Sequence, residues 1–167
     1  AIMDYLLDKF YSKYKVDVSS DPRAMMRLKE AAENCKINLS SRYEYKVELP
    51  FFALADNVPV ALEETVTRDI FVSLIKDKID STEEQINIAL KDSGLKASDI
   101  DLILLVGGST RIPYVKEFIE RIMGKEASFI VDPDLSVVRG ASIQAGILSE
   151  ELSAESDIII TDVCPYT

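Results

Sequence analysis

The chain has 167 residues, 47% of them hydrophobic and 29% charged, with a net charge of −10 and a pI near 4.5. That length suits one domain or two small ones and is enough to bury a core without covalent staples. The acidic balance excludes a general affinity for nucleic acid, and the absence of histidine excludes Ser-His-Asp and Cys-His catalytic groups.

In chain order, Ile2, Leu6, Phe10 and Tyr14 recur at helical spacing. No capping residue precedes them, so we expect a chain cut from a longer one. "DPRAMMRLKEAAENCKINLSS" predicts a second helix, with Asp21 as N-cap and Pro22 in the tolerant first turn. Met25, Leu28, Ala32, Cys35 and Leu39 form its apolar stripe. Glu33, Lys36, Ile37 and Ser40 form a second stripe about 110° round the helix. That face is mixed: an acid, a base, an aliphatic and a hydroxyl.

"RYEYKVEL" alternates, with Tyr43, Tyr45, Val47 and Leu49 on one side of a half-solvated strand. A hairpin turn is expected near Asp56-Asn57. Thr67 is placed to cap a third helix carrying Ile70, Phe71, Leu74, Ile75 and Ile79. Ser81 with Glu84 gives a capping-box signal, and Gly94 a stop.

The second half changes character. "DIDLILLVGG" predicts a strand buried on both faces. A helix with Val115, Phe118, Ile119 and Ile122 follows, then Gly124, then a short strand "SFIV". Asp132-Pro133-Asp134 opens a last helix with Val137, Ala141, Gln144, Ala145 and Leu148 on one face. This alternation indicates an α/β fold. A polar, acidic stretch then leads into "DIIITDVCP".

Cys35 and Cys164 imply no disulfide framework and make a poor zinc site, so a reducing compartment and no metal ligands are expected. No run reaches transmembrane length and no signal peptide opens the chain, so we expect no membrane association and a cytoplasmic location.

Gly107-Gly108 admits two readings. One is a tight strand-to-helix turn with Ser109 or Thr110 as N-cap. The other is a ligand site at the carboxyl end of a strand, where bare backbone admits a phosphate or sugar and Arg111 pairs with a phosphate or stacks on a base. Neither common phosphate-loop signature is present. A nucleotide here would meet one wall of a site completed elsewhere.

"LLVGGSTRIPYV" resembles the adenosine-binding segment of the seventy-kilodalton heat-shock chaperones of the DnaK type. "DPRAMMRLKEAAENCKINLSS" is similar to that family's nucleotide-contacting helix, "VDPDLSVVRGASIQAGIL" to its last helix, and "SDIIITDVCP" to its interdomain linker and the strand beyond. The segments stand in family order and cover essentially the whole chain. The resemblance implies part of an actin-like ATPase (ribonuclease H-like) fold: residues 1–76 an outer subdomain of the second lobe with antiparallel sheet and helices, 77–156 part of the inner α/β subdomain, and 157–167 the linker and the start of a substrate-binding domain.

By matching positions, the resemblance implies that Glu33 and Lys36 hold the ribose hydroxyls and Ser40 the adenine. Arg111 would stack on the adenine with Ile37 opposite, Gly107, Gly108 and Ser109 would line the ribose and α-phosphate, and Asp134 would sit close by. Asp157, Ile158, Ile159, Ile160 and Asp162 would form the linker. The ligand implied is ATP or ADP, with Mg2+, catalytic residues and phosphate loops outside this chain, which is expected to be inactive alone. Implied partners are a nucleotide-exchange factor and a J-domain co-chaperone, with client peptides reached only through the missing substrate-binding domain. Two readings compete with a nucleotide wall. In one, a protein-interaction module binds those co-chaperones; in the other, a sugar kinase of the same fold, a linker is unexplained. Leu135 and Arg139 depart from the family's usual acidic and uncharged residues, and Cys164-Pro165-Tyr166 from its usual Thr-Pro-Leu.

Overall fold

Helix α1 spans Ile2–Tyr14 and buries Ile2, Leu6 and Phe10 of the expected stripe, with Tyr14 only partly covered. The computed structural model describes residues 1–128 and 130–149; the expected linker residues Asp157, Ile158, Ile159, Ile160 and Asp162, and Cys164, lie outside them. Helix α2 spans Pro22–Leu39. The Asp21 carboxylate accepts from the backbone N–H of Arg23 at 2.9 Å and Ala24 at 3.3 Å, satisfying donors that the first turn leaves open. Its buried side runs Ala24, Leu28, Ala32, Cys35, Leu39; Ala24 takes the place expected of Met25, which is only partly covered.

Strands β1 (Glu44–Ala55) and β2 (Val58–Thr67) pair antiparallel around Asp56 and Asn57, at φ 49° and 63°. Two left-handed residues match the twist of a two-residue hairpin, and Asp and Asn tolerate that region best after glycine. Between Leu49 and Ala53 the register shifts, and Phe51 sits at φ 51° with its ring in solvent. Arg27 braces this irregularity from α2, donating to the carbonyls of Pro50 at 2.7 Å and Phe51 at 3.2 Å. Val47, Phe52, Leu62 and Val66 close the core over α1 and α2.

Helix α3 (Arg68–Asp80) is capped by Thr67, whose hydroxyl accepts from Ile70 N–H at 3.2 Å. The capping box expected at Ser81 does not form. The Ser81 and Thr82 hydroxyls instead donate backwards, to the carbonyls of Lys78 at 3.0 Å and Ile79 at 2.6 Å in the last turn of α3, a local bond that competes with capping. Helix α4 (Glu83–Ser93) follows Thr82 without a side-chain cap and ends at Gly94, φ 71°.

The strand expected after it is not regular. Residues 101–106 form no continuous strand, and Leu104 makes an isolated parallel bridge to Ser128, where the second strand was also expected. Leu105 is buried, while Leu102, Leu104 and Val106 keep 50%, 46% and 42% of their surfaces in solvent. A strand apolar on both faces is covered only when other elements pack on both of those faces. Among the described residues the bridge to Ser128 is the pairing this stretch makes. Helix α5 (Pro113–Met123) buries Phe118 and stops at Gly124, φ 64°. Helix α6 (Ser136–Leu148) buries no side chain among the described residues, so its expected apolar face is uncovered. No helix among the described residues is long and apolar enough to cross a membrane.

Candidate functional site

A cavity of about 340 Å³ opens between α2 and the turn before α5, within the size range of small-molecule sites. From α2 and its C-cap come Glu33, Lys36, Ile37 and Ser40; from across the gap come Gly108, Arg111 and Asp134. Seven of the nine residues expected at a nucleotide thus line one hollow. Ser109 lines the adjoining hollow, which Glu33 and Lys36 also border, and Gly107 lines neither.

The α2 side is built by helical spacing. Glu33 and Lys36, one turn apart, form an ion pair at 2.6 Å. Ile37 exposes 57% of its surface, an apolar flat among polar neighbours. Ser40 stands where α2 ends, and that end is fixed by Arg68. Its guanidinium donates to the carbonyls of Leu39 at 3.0 Å and Arg42 at 2.8 Å, and lies 4.7 Å over the Tyr43 ring. A cation on helix C-terminal carbonyls both satisfies them and meets the negative end of the dipole.

The opposite side is a short 3-10 turn, Gly108–Arg111. Gly107 sits at φ 90°, a region side chains rarely adopt, and its N–H donates to Pro133 O at 2.9 Å. Neither Ser109 nor Thr110 caps α5. The Thr110 hydroxyl donates to Gly107 O at 2.7 Å, the N-cap is Ile112, and Pro113 removes one donor from the helix start.

Asp134 does not cap α6 either, since that helix begins after Leu135 with no side-chain cap. Its carboxylate goes to Arg111, accepting from Nε at 2.9 Å and from a terminal nitrogen at 2.6 Å. Asp132 accepts from the same terminal nitrogen at 3.3 Å and from Asp134 N–H at 2.9 Å. Two carboxylates on one edge of the guanidinium hold it in plane and raise its pKa above the usual arginine value, Asp134 contributing most.

Arg68 and Asp132 were not among the expected site residues. Arg68 acts on carbonyls 26 to 29 positions away, which no local pattern reveals. Asp132 carried a signal, an Asp-Pro-Asp run, that reads equally well as a helix start. Chemically, the hollow offers a carboxylate acceptor, an ammonium donor, a hydroxyl, an aliphatic surface and a braced cation. No group of three or more acidic or cysteine side chains among the described residues is placed to hold a metal ion.

A sequence profile of the family described as "Hsp70 protein" matches residues 1–167. The chain is 46% identical over 167 residues to the chaperone protein DnaK of Halobacterium salinarum, covering 100% of this chain and 26% of that protein. It is 44% identical to DnaK of Thermosipho melanesiensis and 43% identical to that of Thermosipho africanus, each over 99% of this chain and 28% of the relative. The chain therefore spans about a quarter of the length of these curated relatives. With the profile matched from end to end and more than two fifths of the residues shared with each DnaK, the chain belongs to the Hsp70 family.

Proposed function

We propose that this chain is the adenosine-binding wall of an ATP-dependent, DnaK-type chaperone, part of the second lobe of an actin-like ATPase domain. In this reading residues up to about 76 are the outer subdomain, about 77–156 part of the inner one, and 157–167 the linker, with Asp157, Ile158, Ile159, Ile160 and Asp162, and the start of a substrate-binding domain. The observation that carries this reading is the single hollow joining Glu33, Lys36, Ile37 and Ser40 to Gly108, Arg111 and Asp134.

The donor set suits a nucleoside. Glu33 accepts from ribose hydroxyls and Lys36 donates to them; Ser40 reaches a base edge. The base lies between Ile37 and the braced face of Arg111, an aliphatic and a cation–π contact on its two sides. Gly108 and Ser109 present backbone to the ribose and α-phosphate, and Gly107, whose own backbone groups bond to Pro133 and Thr110, sets the turn that places them. Phosphoryl transfer requires phosphate clamps, a metal and a positioned water. In this proposal those groups, Mg2+ included, come from outside the chain, which binds and orients without performing the chemistry. The parent chaperone would act in the cytoplasm.

The test is calorimetric titration with ADP of the chain and of Arg111→Ala. Binding that Arg111→Ala abolishes supports a preorganised wall. No binding by the unaltered chain overturns nucleotide binding by this piece alone.

A second reading rests on the outer end of the hairpin. Phe51, Leu54 and Val58 expose 78%, 60% and 60% of their surfaces, and Met26, next to the bracing Arg27, exposes 70%. Such apolar exposure suits a protein partner. We propose a nucleotide-exchange factor there and, given the net charge of −10, a basic J-domain near the linker. Pull-downs with each co-chaperone separate this reading from nucleotide contact.

A further inference from the structure

The two walls of the hollow belong to separate segments, and α3 joins them. Its first residue, Arg68, holds the C-terminal end of α2 through the carbonyls of Leu39 and Arg42. At its other end stands Asp80, about 18 Å away at 1.5 Å per residue. There the Tyr114 hydroxyl donates to Asp80 Oδ1 at 2.7 Å. Lys76 bonds the other carboxylate oxygen, and Arg121 lies 3.7 Å from Oδ1, so cations from α3 and α5 both face this acid.

Tyr114 stands three residues after Arg111, with little slack between them. Ile112 N–H donates to Ser109 O at 3.2 Å and Val115 N–H to Ile112 O at 3.0 Å, making the turn and the first turn of α5 one hydrogen-bonded unit. Among the described residues Ile112 is the only one beyond α3 in the main buried core, with Tyr114 and Val115 packed beside it. An apolar anchor allows the unit to rotate about it. The hydrogen bond to Asp80 supplies the directional restraint that removes this freedom.

We propose that Tyr114, held by Asp80, is a positioning residue for the nucleotide, fixing the Arg111 turn at its working distance from the Glu33–Ser40 face. The proposal rests on the adenosine-wall reading for its ligand, though not for its geometry. It assigns a role to two residues that lie outside the hollow itself.

The test compares the unaltered chain with Tyr114→Phe, Asp80→Asn and Asp80→Ala, well below the unfolding temperature of each. Affinity for ADP is measured by calorimetry and the orientation of α5 relative to α2 by residual dipolar couplings. Tyr114→Phe keeps the ring on Phe118, 6.5 Å between centroids, and removes only the hydroxyl. We expect Tyr114→Phe and Asp80→Ala to bind ADP about three- to tenfold more weakly, the worth of one accessible hydrogen bond. Asp80→Asn keeps an acceptor for the tyrosine and should bind within about twofold of the unaltered chain. Both weakened variants should show a changed α5 orientation while remaining folded, which a purely stabilising contact would not produce. Unchanged ADP affinity in Tyr114→Phe overturns the proposal, as does weakening in Tyr114→Phe with none in Asp80→Ala. If the unaltered chain binds no ADP, the adenosine-wall reading fails for this chain, and the couplings decide the positioning claim alone. An α5 orientation unchanged in Tyr114→Phe then overturns it, and a changed one supports it.

Discussion

Helices α1 to α3 and the hairpin bury Leu6, Leu28, Cys35, Leu39 and Val66 completely, whereas α4 and α6 bury no side chain among the described residues. The two regions do not differ in how apolar their sequences are. Leu102, Leu104, Val137 and Leu148 are as hydrophobic as the residues of the first core, yet each exposes at least 46% of its surface. What differs is coverage. In the first region the apolar stripes of α1 and α2 meet the inner face of the hairpin, so burial is achieved largely within that stretch of chain, while Ile37, Phe51 and Leu54 stay exposed. In the second, Leu105 and Phe118 are buried, but α4 and α6 contribute no buried side chain among the described residues. Periodicity shows which side of an element is apolar and not what lies against it.

The sharpest way to break this comparison is to remove the same kind of side chain from each region. Leu28→Ala empties a fully buried site and should cost about 2–5 kcal/mol of stability. Val137→Ala removes a side chain that is 70% exposed and should stay within about 0.5 kcal/mol. Urea unfolding of both variants measures the contrast. Equal losses would mean that α6 is covered in solution.

The next largest effect tests how the first region reaches the candidate site. Arg68→Ala releases the carbonyls of Leu39 and Arg42 together, and should cost about 1.5–3 kcal/mol, the range for hydrogen bonds from a charged donor. Amide hydrogen exchange should accelerate in the last turn of α2, at Ile37 to Ser40, before it does in the first. Uniform acceleration along α2 would show that Arg68 supports the core in general.

A smaller loss is expected at the opposite end. Asp21→Ala removes an acceptor shared by two backbone donors and should cost about 1 kcal/mol, with fraying confined to residues 22–25. Asp21→Asn should recover most of it, since the amide oxygen accepts equally well.

These sites also mark what the sequence makes legible. Asp21, Thr67 and Asp56-Asn57 act through bonds spanning a few residues, so their roles are readable from neighbours alone. The mixed face of α2 is legible for the same reason, as 3.6-residue spacing fixes it. Hydroxyl direction is not: Ser81 and Thr110 donate backwards where caps were expected, and Thr82 does the same, each to a carbonyl three residues earlier. The bulge that turns Phe51 outward and the partners of Arg68, Arg111 and Tyr114 depend on segments about 20 to 35 positions apart, which only the tertiary structure brings together.

The smallest effect concerns Cys35, sealed inside the first region. Burial pushes its thiol from the ordinary 9.0 up to about 11. In the unfolded chain the thiol therefore loses its proton first. Between these values the unfolded state holds fewer protons than the folded one, so stability falls as pH rises through that window. Below it both states keep the proton and the contribution is complete. Urea midpoints for the unaltered chain and for Cys35→Ala at about pH 8 and about pH 10 isolate this share, because the other titrating groups are common to both. The variant should lose less between the two pH values than the unaltered chain. The native thiol should also resist alkylation at the lower pH until the chain unfolds. Equal alkaline losses would show that solvent reaches Cys35, and that the closure distinguishing this region from the second is incomplete at the middle of α2.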